Sequence, residues 1–246
     1  PIYLSKPGSV VVGKIFKDTL ILVGYLSEYI VRYNFINNEF DIIYEGDKSL
    51  FLCDICIHNS KIYAISDKRG TLFIYDLETK TSKFIEIDKK GYNSIVYKNG
   101  KLFLTPFSDN DFIIIDIDNE NIHRIKNLYG QYDESYLYGC VIGSYYYAVP
   151  WKKGKIIKIN INDYTCMIDE FYEKSISHDS HVSGCTVYED ILFILRADIP
   201  EMIRYDISNK IIDNISLECQ MSKKLIDEIY WANVMLEHSS FRLEDL

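Results

Sequence analysis

The sequence repeats itself five times. An apolar or aromatic triplet, Leu20-Ile21-Leu22, recurs as Ile62-Tyr63-Ala64, Leu102-Phe103-Leu104, Tyr146-Tyr147-Ala148 and Leu192-Phe193-Ile194, with first residues 40 to 46 positions apart. A second element places Asp or Asn between two apolar residues: Tyr33-Asn34-Phe35, Tyr75-Asp76-Leu77, Ile115-Asp116-Ile117, Ile159-Asn160-Ile161 and Tyr205-Asp206-Ile207. It follows the first element by 13 residues in every copy. Two elements that keep step through five copies define one supersecondary unit repeated along the chain.

Each unit reads as four short strands. In the third copy they are Ser94 to Tyr97, Lys101 to Thr105, Phe112 to Ile117 and Asn121 to Ile125, rich in Ile, Val, Tyr and Phe and separated by turn residues such as Asn99-Gly100. Four strands in 40 to 46 residues is the size of a propeller blade, and no stretch within the repeats keeps the i, i+3, i+4 pattern of a helical repeat. The expected fold is an all-β propeller over residues 1–220, with five visible four-stranded blades near 8–46, 47–92, 93–131, 132–179 and 180–220. Residues 221–246 fall outside the repeat. Ser222 is placed to cap a helix carrying Leu225, Ile229, Ala232 and Leu236; alternatively Tyr230 to Leu236 joins Ile2-Tyr3-Leu4 in a ring-closing blade. Blade count and oligomeric state are linked, because an unclosed ring exposes an edge strand.

Charge narrows the partners. With 36 acidic and 27 basic residues among 246 the chain carries a formal charge of −9, the wrong sign for tracking nucleic-acid phosphates or an anionic membrane. No apolar run approaches the roughly 20 residues of a spanning helix, and the first residues lack the pattern of a signal peptide, so a cytoplasmic location is expected. The six cysteines are expected to be free thiols within strands. Cys53 and Cys56 have C-x-x-C spacing, but no second pair completes a zinc site and residues three apart in a strand point to opposite faces. No metal or other cofactor is expected.

The run Asn99-Gly100-Lys101-Leu102-Phe103 followed by Ile114-Ile115-Asp116-Ile117 resembles the bacterial propeller repeats of the kelch-like and quinoprotein-like kind, and the chain is similar to uncharacterised Tyr- and Ile-rich propellers of gut Firmicutes. It lacks the Trp-Asp dipeptide of one propeller class and the Gly-Gly doublet of true kelch blades. The resemblance implies that ligands bind on the face carrying the loops between second and third strands and the loops between blades. On that face the sequence places Tyr92, Tyr132, Tyr136, Tyr138 and Trp151, together with Arg69 and Arg196. Aromatic rings beside hydrogen-bonding groups suit a sugar ring or a protein partner. Against that, many of the 21 tyrosines are expected simply to pack between blades.

The residues therefore point to a non-catalytic binding module for a carbohydrate or protein, with a carbohydrate-active hydrolase or lyase as the alternative. A glycosidase needs two opposed carboxyl groups. Of the expected innermost strands, only Cys53-Asp54-Ile55-Cys56 supplies one, in Asp54; Asp133, Glu134 and His181 are the remaining candidate acids and bases. His178-Asp179-Ser180-His181 reads as a solvated loop without a third ligand or a nucleophile. Gly139-Cys140 and Gly184-Cys185 read alike, as close backbone packing near the axis. No phosphate-binding glycine loop is present.

Overall fold

Each copy of the repeat folds into four antiparallel strands hydrogen-bonded in chain order, and five such sheets form a β-propeller in this computed structural model. The structure describes residues 10–24, 27–46, 50–107, 111–126, 136–151, 155–169, 182–196 and 199–217. Blade 1 comprises β1 (Val10–Phe16), β2 (Thr19–Gly24), β3 (Tyr29–Asn34) and β4 (Glu39–Glu45). Blade 2 is β5 (Leu52–His58), β6 (Lys61–Ser66), β7 (Thr71–Asp76) and β8 (Thr81–Glu86). Blade 3 is β9 (Tyr92–Lys98), β10 (Lys101–Pro106), β11 (Phe112–Asp116) and β12 (Ile122–Ile125). Blade 4 is β13 (Tyr136–Ile142), β14 (Tyr145–Pro150), β15 (Ile157–Asn160) and β16 (Cys166–Ile168), and blade 5 is β17 (Val182–Tyr188), β18 (Ile191–Arg196), β19 (Glu201–Asp206) and β20 (Ile211–Ser216). Among the described residues there is no helix; the stretch 221–246, helix or closing blade by sequence, lies outside them.

The constant 13-residue offset has a physical origin. Leu20 pairs with Tyr33, Ile62 with Tyr75, Leu102 with Ile115, Tyr146 with Ile159 and Leu192 with Tyr205, so the two sequence elements are cross-strand partners in every blade. The Asp or Asn that follows ends the third strand and turns the chain. Its side-chain oxygen accepts from backbone N–H groups two or three residues on, as in Ile36→Asn34, Glu78→Asp76, Asp118→Asp116, Asn162→Asn160 and Asn209→Asp206. Four residues past it, Asn38, Lys80, Glu120, Tyr164 and Lys210 each take φ of 55–62° and send the chain back into the outer strand.

The blades bury each other. Four apolar cores fill the four junctions between consecutive blades, for example Ile21, Val23 and Ile30 of blade 1 against Ile62, Phe73 and Tyr75 of blade 2. The second strands of blades 2, 3 and 4 and the third strands of blades 2 and 3 are covered on both faces, which is why Ile62–Ile65 and Ile113–Ile115 are unbroken apolar runs. In β2 and β18, at the two ends of the described array, burial alternates instead. Two tyrosines of the second element also peg neighbouring blades: Tyr75 Oη donates to Ile43 O at 2.6 Å, and Tyr205 Oη reaches Asp169 at 2.9 and 3.1 Å. The outermost β8 and β20 are largely exposed and carry charges such as Lys83, Glu86 and Asp213, which discourages pairing along these edges.

Candidate functional site at the channel mouth

All five innermost strands begin with the same irregularity. Val11, Cys53, Asn93, Leu137 and Ser183 are each skipped in the pairing with the second strand, one bulge per blade at the end nearest the second-to-third-strand loops. A bulge re-aims side chains and breaks the strict alternation of a strand. Consecutive residues therefore face one space: Cys53 with Asp54, Asn93 with Ser94, and Leu137 with Tyr138 line a cavity of about 410 Å³ on the propeller axis, joined by Lys14 and Asp67.

Asp54 is fixed by three donors. Ile55 N–H reaches Oδ1 at 2.9 Å, while Ile95 N–H and the Ser94 hydroxyl reach Oδ2 at 2.9 and 3.0 Å. Ser94 Oγ in turn accepts from Gly139 N–H at 3.1 Å. One carboxylate thus ties the innermost strands of blades 2, 3 and 4 together. Burial pushes its pKa up, and the charge of Lys14 together with these hydrogen bonds opposes the shift without cancelling it. Tyr138, half-buried, donates to Ser183 O at 2.5 Å and extends the fastening to blade 5; burial raises its pKa as well. Asn93 Nδ2 donates to Tyr136 O at 2.8 Å, which holds its side chain across the junction of blades 3 and 4.

Of the residues singled out by sequence, Asp54 and Tyr138 lie on the cavity wall. Trp151 stands 41% exposed just after β14. Arg69 is exposed beside the ring of Phe51, and Arg196, partly buried at the end of β18, pairs with Glu201 at 3.4 Å. Two placements differ from expectation. Tyr92 and Tyr136 are 0% exposed and belong to β9 and β13, where their rings fill the junctions between blades; neither presents a surface to a ligand. Tyr132, Asp133, Glu134 and His181, with the rest of the His178–His181 run, lie outside the described residues. Gly139 is packed tightly as expected, whereas the space beside Gly184 is open. The five cysteines among the described residues carry free thiols, and burial raises the pKa of Cys53 and Cys56. No cluster of three metal-ligating side chains occurs among the described residues.

Sequence reasoning passed over Lys14 and Asp67. Asp67 follows β6 immediately and opens the Lys68-Arg69 loop, so its position at the end of a second strand was the available signal. With it the cavity holds a second carboxyl group beside Asp54.

No family model and no curated protein matches the sequence. Among solved structures, the chain is similar to a virginiamycin B lyase from Staphylococcus aureus, with a TM-score of 0.70 at 12% identity over 87% of this chain and 71% of that one. It is similar to a streptogramin B lyase as well, with a TM-score of 0.72 at 11% identity over 88% and 72%. A third likeness, to the extracellular domain of a putative one-component system from B. thetaiotaomicron, has a TM-score of 0.66 at 10% identity over 84% of this chain and 27% of that one. At such identities the likeness is one of fold: the protein is a β-propeller.

Proposed function

We propose that the protein is a non-catalytic binding module that holds a carbohydrate at the channel mouth. The observation that carries this reading is the bulge-built cavity, in which the Tyr138 ring stands beside polar groups already fixed by the fold. Asp54 and Asn93 are held in place by hydrogen bonds, so they offer their remaining valences to hydroxyl groups without reorganising. Asp54 also acts as an inter-blade fastener, a role that ties up the carboxylate a proton-transfer mechanism needs to be free. Trp151 and Arg69 extend the surface beyond the cavity. The kelch-like and quinoprotein-like resemblance of the repeat is compatible with this role and names no ligand.

A glycan array read by bound fluorescence, followed by mass spectrometry of the recovered glycan, tests the proposal. Intact glycan retained by the wild type and lost by at least tenfold in Tyr138→Ala is the expected result. Binding unchanged in Tyr138→Ala would overturn it, and an array without any hit would shift the reading to a protein partner on the same face. One observation favours the alternative of a hydrolase or lyase: Asp67 brings a second carboxyl group to the wall that Asp54 lines. Two propellers of similar fold are lyases. Cleaved glycan, abolished by Asp67→Asn, would establish that alternative.

A further inference from the structure

Two thiols near the axis have no role in the ligand binding proposed above. Cys140 on β13 and Cys185 on β17 stand on the innermost strands of neighbouring blades and share the core between blades 4 and 5. Cys185 packs against the apolar cluster that encloses Cys140. Their surroundings are unequal. Cys140 is 8% exposed, enclosed with Tyr147, Val149 and Ile194. Cys185 is half-buried and forms part of the cavity wall, where a small solute arriving from solvent meets it.

The two strands also differ in how tightly they are packed. Beside Cys140, Gly139 is wedged against Tyr146 and Thr105. Beside Cys185, a Cβ on Gly184 would meet nothing within 4 Å. Two thiols must bring their sulfur atoms to about 2 Å to become a disulfide, and β17, with open space beside Gly184, is less tightly packed there than β13 is at Gly139.

We propose that Cys140 and Cys185 are an oxidative modification site at which a peroxide closes a disulfide between blades 4 and 5. Cys185, reached through the cavity, is oxidised first. Its sulfur attacks one peroxide oxygen, the O–O bond breaks, and the displaced oxygen leaves as water with the thiol proton, giving a sulfenic acid at Cys185. The Cys140 sulfur then attacks the Cys185 sulfur. The S–O bond breaks, and its oxygen leaves as a second water with the Cys140 proton. Two thiols give up two protons and two electrons, and one peroxide becomes two waters. The inference does not depend on which ligand the cavity takes, or on its taking one.

Peptide mapping of the full chain decides the matter. The protein, purified with reductant and then freed of it, is treated with hydrogen peroxide, its remaining thiols are capped with N-ethylmaleimide, and it is digested without reduction. The expected product is a reductant-sensitive cross-linked pair of peptides carrying Cys140 and Cys185 from the same chain, with Cys166 on the outer strand of blade 4 still capped. Recovery of both Cys140 and Cys185 as capped thiols, or of Cys185 joined to any other cysteine or to a second chain, would overturn the proposal. In Cys140→Ser the reaction is expected to stop at the sulfenic acid, so that dimedone labels Cys185. In Cys185→Ser, Cys140 is expected to stay unlabelled. Labelling of Cys140 there would reverse the assigned order, and the wild-type map stands if either variant fails to fold.

Discussion

Replacing Gly139 with alanine should cost far more than the same change at Gly184, although each glycine precedes a cysteine on an innermost strand. A Cβ at Gly139 would stand 2.1 Å from Tyr146 Oη, 2.6 Å from Thr105 Oγ1 and 2.7 Å from Tyr146 Cζ. Tyr146 and Thr105 are both buried and hydrogen-bonded to each other, and the Tyr146 ring is stacked on Phe103 with centroids 5.4 Å apart. The ring must therefore retreat by about an ångström into packed neighbours, an overpacking cost of about 1–3 kcal/mol. Separating the two hydroxyls inside the core adds about 1–3 kcal/mol, so Gly139→Ala should lose about 2–6 kcal/mol in total. At Gly184 nothing lies within 4 Å, and the change should stay within about 0.5 kcal/mol. Tyr146→Phe removes the oxygen at 2.1 Å but leaves Cζ at 2.7 Å, so the double variant with Gly139→Ala should recover only part of the loss, a coupling of about 1 kcal/mol. Urea unfolding followed by circular dichroism gives all four stabilities. Equal losses at Gly139 and Gly184, or strict additivity with Tyr146→Phe, would refute the reasoning.

Burial raises the Asp54 pKa in the folded protein, so folding takes up a proton there and the stability owed to this group declines as pH rises from about 4 through the folded value. The stability of wild type minus that of Asp54→Asn, from denaturant midpoints across pH, should fall over that window and then level off; a difference that climbs with pH counts against it. Lys80 holds φ of 56°, a region where glycine is unstrained, so Lys80→Gly should stabilise by about 0.5 kcal/mol net of its extra unfolded-chain entropy, seen as a higher urea midpoint. Tyr205→Phe removes the hydroxyl held by both oxygens of buried Asp169 and should cost about 1.5–3 kcal/mol in the same assay, with the strand signal intact.

What the sequence made legible was local or doubly reported. The Asp or Asn of the second element was visible because one side chain closes its own turn, and its partner 13 residues earlier because hairpin geometry leaves that spacing no freedom. The all-β architecture was legible in short stretches rich in Ile, Val, Tyr and Phe that turn residues interrupt every few positions. The cavity was hidden by the bulges. An alternating strand sends Cys53 and Asp54, or Asn93 and Ser94, to opposite faces, and a single extra residue lets both members of each pair line one cavity. Tyr92 and Tyr136 look like loop aromatics for the same reason: each stands one residue before a bulge, at the first position of its strand, and its ring is buried. Gly139 and Gly184 share a dipeptide but not a register: Gly184 is the first residue after its bulge and Gly139 the second after its own, so the bulges decide what lies beside each.

The residue after each bulge occupies one structural place in five blades, yet the chain puts Val12, Asp54, Ser94, Tyr138 and Gly184 there. Turn positions repeat because every blade needs them; these positions are released from that duty, and their differences make the site. Among them Ser94 is the coupling element, because it donates to Asp54 while accepting from Gly139 N–H. Its hydrogen bond helps hold the Asp54 pKa down against burial. Ser94→Ala should therefore drive the Asp54 pKa further up while leaving the Ile55 and Ile95 contacts in place. Carboxyl carbon shifts of labelled aspartate, followed through a pH titration, report that group directly once Asp54→Asn has assigned the signal. An Asp54 pKa in Ser94→Ala equal to or below the wild-type value would mean that the hydroxyl does not tension the carboxylate, and that the cavity wall is held by backbone donors alone.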